Sequence, residues 1–230
     1  MANPSLARIE LLNRIAQTIL QAQAGEEPLR VAIDGIDTAG KTTLANELAD
    51  VLAEKGCPIV RASIDGFHRP RAERYARGAD SPEGYYLDSF NHAALIACLL
   101  EPLGPGGSRL ICTSAFDFHT DRPRQTPWQS APPGCILLFD GVFLLRPELR
   151  PYWDFSIFVE IDYETALQRA LVRDLALFGE AAEVERRYRQ RYIPGQQLYF
   201  EEARPREHAN LIVDNRNPAA PEFLKAARHD

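Results

Sequence analysis

Cysteine is scarce and scattered in this chain. Cys57, Cys98, Cys112 and Cys135 make no C-x-x-C pair. They suit neither a zinc site nor a disulfide framework, and read as small buried thiols in a reducing cytosol. No apolar run approaches ~20 residues, which excludes a membrane-spanning helix. The first residues, Met1 to Ser5, lack the charged-then-apolar layout of a secretory signal, so the chain is expected to be cytoplasmic. A net charge of −6 argues against a general nucleic-acid binder, which would usually be basic. There is no internal repeat. Lysine is the rarest cation: Lys41, Lys55 and Lys225 stand against 23 arginines.

One of those lysines lies in the stretch that organises the rest, R-V-A-I-D-G-I-D-T-A-G-K-T-T-L from Arg30 to Leu44. It reads as a short apolar strand, a glycine-bounded loop and a helix. The spacing G-x-x-x-x-G-K-T is the P-loop pattern, in which backbone N–H groups and a helix N-terminus face phosphate oxygens. Gly35, Asp37, Thr38, Ala39, Gly40, Lys41, Thr42 and Thr43 are the expected nucleotide-binding residues. Lys41 suits a compact point charge among phosphates, and the Thr42 hydroxyl suits Mg²⁺.

At 230 residues, 45% hydrophobic and 25% charged, the chain fits one α/β domain with a sizeable core. Leu6, Ile9, Leu12, Ile15 and Ile19 mark an amphipathic helix within residues 1–28, begun by Pro4 and Ser5 and packed on the outside of the core. Residues 29–216 form the main domain. Strands are predicted at Val31 to Ile33, Cys57 to Asp65, Ser108 to Ala115, Cys135 to Gly141, Asp154 to Ile161 and Leu211 to Asp214. Helices are predicted from Lys41 to Lys55, Asp88 to Leu103, Tyr163 to Phe178 (capped by Asp162) and Ala181 to Tyr199. Residues 66–87 read as a substrate-side loop, 169–200 as lid helices and 217–230 as a tail with a short helix after Pro221. Alternating strands and helices give a doubly wound, mostly parallel sheet with helices on both faces. Ligands in such sheets sit beyond the carboxyl ends of the strands. Gly35, Asp65 and Asp140 each fall at or just past such an end, so all three converge over the P-loop. Asp140 closes an apolar strand as a metal-binding acid does, and Asp65 is placed to take a proton from an acceptor hydroxyl.

Beyond the P-loop, S-I-D-G-F-H (Ser63 to His68), F-D-G-V-F (Phe139 to Phe143), R-A-L-V-R-D (Arg169 to Asp174) and A-N-L-I-V-D-N (Ala209 to Asn215) resemble the uridine kinase and phosphoribulokinase family. The resemblance covers most of the chain from Leu29 to Asn215. It implies a P-loop kinase using ATP and Mg²⁺, with Asp65 as catalytic base near the metal and His68 in the position of a family Tyr. It implies that Asp140 and Thr42 hold the metal, that Asp80, in Asp80-Ser81-Pro82, grips an acceptor diol, that Arg173 supplies charge to the nucleotide from the lid side, and that His68, Arg69 and Arg169 contact the substrate. The chain departs from the pattern in two places. Phe116-Asp117-Phe118-His119 lacks the pyrimidine-reading Tyr and displaces the His, and Phe178-Gly179-Glu180 lacks two lid arginines. Arg69, Arg71, Arg74 and Arg77, or Arg186, Arg187, Arg189 and Arg191, are the candidate replacements; the second set equally fits a solvated helix face. Tyr85, Tyr86 and Phe90 either wall a ring or anchor a helix. The expected acceptor is a small molecule, first a nucleoside, otherwise pantothenate, a sugar or a sugar phosphate. A homo-oligomer is left open. A GTPase switch would need N-K-x-D, and a transport ATPase an L-S-G-G-Q signature, to which only Gly195-Gln196-Gln197 comes near.

Overall fold

The computed structural model describes residues 5–23 and 25–226. Pro4, expected at the first helix start, and residues 227–230 of the tail lie outside them. Among the described residues the strands are β1 (Leu29–Gly35), β2 (Ile59–Ser63), β3 (Leu110–Ile111), β4 (Phe116–Asp117), β5 (Arg122–Pro123), β6 (Gln129–Ser130), β7 (Ile136–Asp140), β8 (Phe155–Glu160), β9 (Leu211–Asp214) and β10 (Glu222–Ala226). Six of them form one sheet in the order β10-β9-β8-β1-β7-β2. All neighbours are parallel except β10, which runs antiparallel to β9. The expected helix after Pro221 is therefore an edge strand.

Burial on both faces explains the apolar runs. In β1, Val31 and Ile33 face one core with Leu11, Leu12, Ile15, Leu44 and Leu48 of helices α1 (Leu6–Ala22) and α2 (Lys41–Glu54). Ala32 faces the other core with Leu137, Phe139 and Phe158. Adjacent residues point to opposite faces of a strand, so the middle of a strand covered twice is apolar on both faces. The stripe expected along α1 begins later than the spacing suggests. Leu6 and Ile9 are exposed, while Leu11 and Ala16 join Leu12, Ile15 and Ile19 in the core.

The segment Ser108 to Ala115, expected as a sheet strand, does not join the sheet. Only Leu110–Ile111 is extended, and it pairs with β6 in a two-stranded ladder. Three glycines and two prolines precede or flank it. Its turn chemistry leads the chain out of the sheet before a long strand can form. The expected loop 66–87 holds two short helices, α3 (Arg71–Arg74) and α4 (Pro82–Asp88), and the helix expected from Asp88 is α5 (His92–Leu95) with a π turn to Leu100. Ser81 caps α4 by accepting from the Gly84 N–H at 3.0 Å.

After β8, Asp162 caps α6 (Tyr163–Arg173) by accepting from the Thr165 N–H at 2.7 Å. Next come α7 (Leu175–Phe178) and α8 (Ala181–Arg187). A π turn over Tyr188–Tyr192 continues directly into α9 (Ile193–Ala203), so the backbone is helical without a break from Ala181 to Ala203. Leu167, Ala170, Val184 and Tyr188 form a small core of their own beneath this lid region. No described helix is long and apolar enough to cross a membrane.

Candidate active site

Register places the chemistry. Ile33 of β1 and Ser63 of β2 both lie opposite Asp140 at the end of β7. The loops leaving all three strands therefore open on one edge. The P-loop wraps from Gly35 to α2, and Gly40 takes φ +91°, a left-handed conformation disfavoured for other residues. A Cβ there would lie 2.6 Å from Asn215 Nδ2, whose amide donates to the Ala39 carbonyl at 2.6 Å. Thr38, also at positive φ, donates its hydroxyl to Asp37 O and to Ala166 O of α6.

Lys41 is buried and donates its Nζ to Ile36 O at 2.7 Å, inside the loop. Burial lowers its pKa, and the carboxylates of Asp37, Asp34 and Asp140 oppose that shift. Thr42 donates its hydroxyl to Asp140 Oδ2 at 2.6 Å, and Ser63 reaches the same oxygen at 3.4 Å. Asp140 Oδ1 receives the Arg61 guanidinium at 2.7 Å. The donor set of hydroxyl and carboxylate is all oxygen. Among the described residues no cluster of three or more His, Cys, Asp or Glu side chains forms a cage. That combination fits Mg²⁺, which takes one or two protein oxygens and leaves its other positions to water and phosphate.

Asp65 lies on a 3₁₀ turn, Ile64–Phe67, directly after β2. Its surface reaches solvent, yet surrounding protein crowds the carboxylate. This partial desolvation raises its pKa against the pull of His68, and the charge of Asp140 adds to the rise. His68 Nδ1 lies 3.1 Å from Asp65 O. The His68 ring packs between Phe90 and Phe118, at centroid distances of 4.7 and 5.0 Å. Burial lowers the His68 pKa. Phe118 rides on the hairpin of β4 and β5, which is tied to the Ile64–Phe67 turn by Ala115 N–H donating to Gly66 O at 2.8 Å.

The predicted cations are distributed otherwise than the sequence suggests. Arg169 donates to the carbonyls of Thr38, Asn215 and Arg216, bracing the P-loop against the end of β9. Its partners lie at the P-loop and the end of β9. Arg173 pairs with Asp174 at 2.6 Å and keeps more than half its surface exposed. Arg69 donates to Phe90 O at 3.1 Å, Arg74 pairs with Asp121 at 3.2 Å and Arg77 with Asp88 at 2.7 Å. Asp80 is bound by Arg186 at 2.9 Å. Arg186, Arg187 and Arg189 also pair with Glu183 or Glu185 on their own helix. Arg191 is buried and donates to the carbonyls of Arg74, Gly78, Ala79 and Ser81, fixing the bend before α4. Tyr85, Tyr86 and Phe90 cluster with Phe143 and act as helix anchors.

Some residues at this edge escape a motif reading. Asp34, fully buried at the end of β1, accepts from Tyr199 Oη and from the Gly35 N–H at 2.7 Å. Burial pushes its carboxyl up to about 6, although those hydrogen bonds and Lys41 pull the other way. A carboxylate directly after the apolar run Val31 to Ile33, in a strand covered on both faces, was the available signal. Arg61 gave none.

A family model described as the phosphoribulokinase / uridine kinase family matches residues 31–210. The chain belongs to this family. A uridine-cytidine kinase B of Dictyostelium discoideum is 27% identical over 69% of this chain, which spans 63% of that longer protein. A uridine kinase of Chlamydia pneumoniae is 24% identical over 80% of both chains. Among solved structures, a Silicibacter sp. protein named for a fructose transport system kinase aligns with a TM-score of 0.69 at 22% identity, covering 84% of this chain and 95% of its own. That likeness concerns the fold, the family's P-loop kinase architecture.

Proposed function

We propose that this family member transfers the γ-phosphoryl group of ATP to a hydroxyl of a small molecule, with a nucleoside of the uridine or cytidine type as first acceptor. One observation carries the reading: Asp65 stands on the same sheet edge as Lys41 and the Thr42–Asp140 pair, so a base faces a phosphate cradle. The P-loop N–H groups hold the triphosphate, and Lys41 leaves the Ile36 carbonyl for the β- and γ-phosphate oxygens. Thr42 and Asp140 are the residues that would hold Mg²⁺. A metal ion held there would supply positive charge against the charge that develops on the phosphates. Asp65 accepts the proton of the acceptor hydroxyl as that oxygen attacks phosphorus. Its raised pKa makes it a better base than an ordinary aspartate. Arg173 brings charge from the lid side, and Asp80 meets the acceptor hydroxyls once it parts from Arg186. His68, with Arg69 behind it, lines the acceptor side, and its stack with Phe90 and Phe118 offers a flat wall to a ring.

A second acceptor class, pantothenate, a sugar or a sugar phosphate, is favoured by Phe116, which stands where the family reads a pyrimidine with Tyr. The test is ADP release by the purified protein with Mg-ATP and a panel of uridine, cytidine, pantothenate, sugars and sugar phosphates. Stimulation by nucleosides supports the first reading, and stimulation by another class alone replaces it. ADP release independent of every acceptor overturns the kinase.

A further inference from the structure

Asp37, inside the P-loop, is gripped from outside it. Its Oδ2 accepts from Tyr85 Oη of α4 at 2.7 Å and from Gln196 Nε2 of α9 at 2.7 Å. Both donors are neutral and buried. The two helices meet unusually closely. A Cβ on Gly195 would lie 2.7 Å from Tyr85 Cδ1 and 3.0 Å from Pro82 O. Gly195-Gln196, which resembled a fragment of a transport signature, thus has a local purpose. The glycine lets α4 approach, and the glutamine beside it reaches Asp37. One turn on, Tyr199 bonds Asp34 at the foot of the same loop. At its other end the same helical rod holds the acceptor side, through Arg191 on the 74–81 carbonyls and Arg186 on Asp80.

We propose that Asp37, Tyr85 and Gln196 form a polar latch through which phosphates seated in the P-loop tighten the acceptor-side wall, making Tyr85 and Gln196 positioning residues for the transfer. Triphosphate adds negative potential around Asp37. A carboxylate in a more negative field holds its N–H and O–H donors more strongly. The charge of Asp37 already reaches Lys41, Asp65 and Arg173, so it stands between cradle, base and lid. The latch rests on the reading that Mg-ATP occupies the P-loop.

Hydrogen–deuterium exchange with and without Mg²⁺ and the ATP analogue AMP-PNP tests it without an acceptor. In the unaltered chain, AMP-PNP should slow exchange over Gly35–Thr43 and, by about fivefold or more, over Ser81–Leu87 of α4. Tyr85→Phe with Gln196→Met keeps the ring and chain volumes and removes both donors. That variant should keep protection at Gly35–Thr43 and lose the nucleotide-dependent part at Ser81–Leu87. Gly195→Ala should weaken the distal response while leaving every hydrogen-bonding group in place. If the double variant does not fold, Tyr85→Phe alone, which removes one hydroxyl, should lose about half of the distal response. Distal protection unchanged in the double variant, or in Tyr85→Phe where only that variant folds, overturns the latch. Protection of the P-loop with none at α4 in the unaltered chain also overturns it, alone. Absence of protection at Gly35–Thr43 overturns the nucleotide reading as well.

Discussion

On the nucleotide side of the cleft, Lys41 rests on a single carbonyl and Thr42 on Asp140, partners that an arriving phosphate and metal can displace. On the acceptor side, Arg69, Arg74, Arg77, Arg186 and Arg191 are engaged with carbonyls or carboxylates of the protein. The contrast follows from how each side is built. The P-loop leads into a helix whose first N–H groups have no partner within the helix, and Lys41 and Thr42 each keep one displaceable partner, whereas Asp37 and Thr38 are already bonded to the surrounding helices. Residues 66–87 hold only two short helices, so the carbonyls of Arg74, Gly78, Ala79 and Ser81 turn to Arg191 for donors, while Arg74 and Arg77 pair with Asp121 and Asp88. Arginines in such a segment are expected to serve the loop first and a ligand second.

The largest break in this comparison comes from the base. Asp65→Asn should lower turnover by about 10²–10⁴-fold with ATP affinity retained, measured by steady-state rate and by nucleotide titration. Normal turnover would remove Asp65 from the role. Lys41→Ala should reduce both nucleotide affinity and rate, because Lys41 belongs to the cradle itself; full activity would overturn the reading of the loop.

Asp34 tests stability on the same edge. Burial favours its protonated form in the fold, with a pKa about 6 against the ordinary 3.8. The folded state therefore holds the extra proton between these values, and stability falls as pH rises from about 4 to about 6, by about 3 kcal/mol. Asp34→Asn should flatten that slope, seen as melting curves of the two proteins at pH 4.5 and 7. An equal slope in both assigns the titration elsewhere.

Arg169→Met should cost about 2 kcal/mol of stability through lost carbonyl contacts and leave the acceptor KM unchanged; a raised acceptor KM would restore its expected substrate role. The smallest effect is expected for Arg189→Ala. This exposed pair with Glu185 should contribute no more than about 0.5 kcal/mol, with turnover unaffected.

How much was legible depends on the kind of signal. Val31 to Ile33 and Cys135 to Asp140 announced themselves because the middle of a strand covered twice is apolar on both faces. The P-loop did so because its glycines, Lys41 and Thr42 sit at fixed local spacing. Ser108 to Ala115 has the β-propensity of a strand but only Leu110–Ile111 is extended, and it pairs with Gln129–Ser130 rather than with the open side of β2; propensity is silent on partners. The residues after Pro221 read as a weak helix, whereas pairing with β9 makes them a strand, a tertiary outcome outweighing local preference. Arg169 carried a motif position correctly and its partners not at all, since those come from Thr38 and from residues 46 and 47 places further on.

The sequence by itself determined the nucleotide loop, the family and the convergence of Asp65 with Asp140, because these depend on local spacing and on the rule that strand ends of a parallel sheet share an edge. Only the tertiary structure decided that Asp37 is held by Tyr85 and Gln196, that Asp34 lies under Tyr199, and that most acceptor-side arginines are already partnered. The contacts of Asp37 and Asp34 join residues 48 to 165 positions apart. No periodicity or motif encodes a hydrogen bond across such separations; helix packing on the sheet sets it.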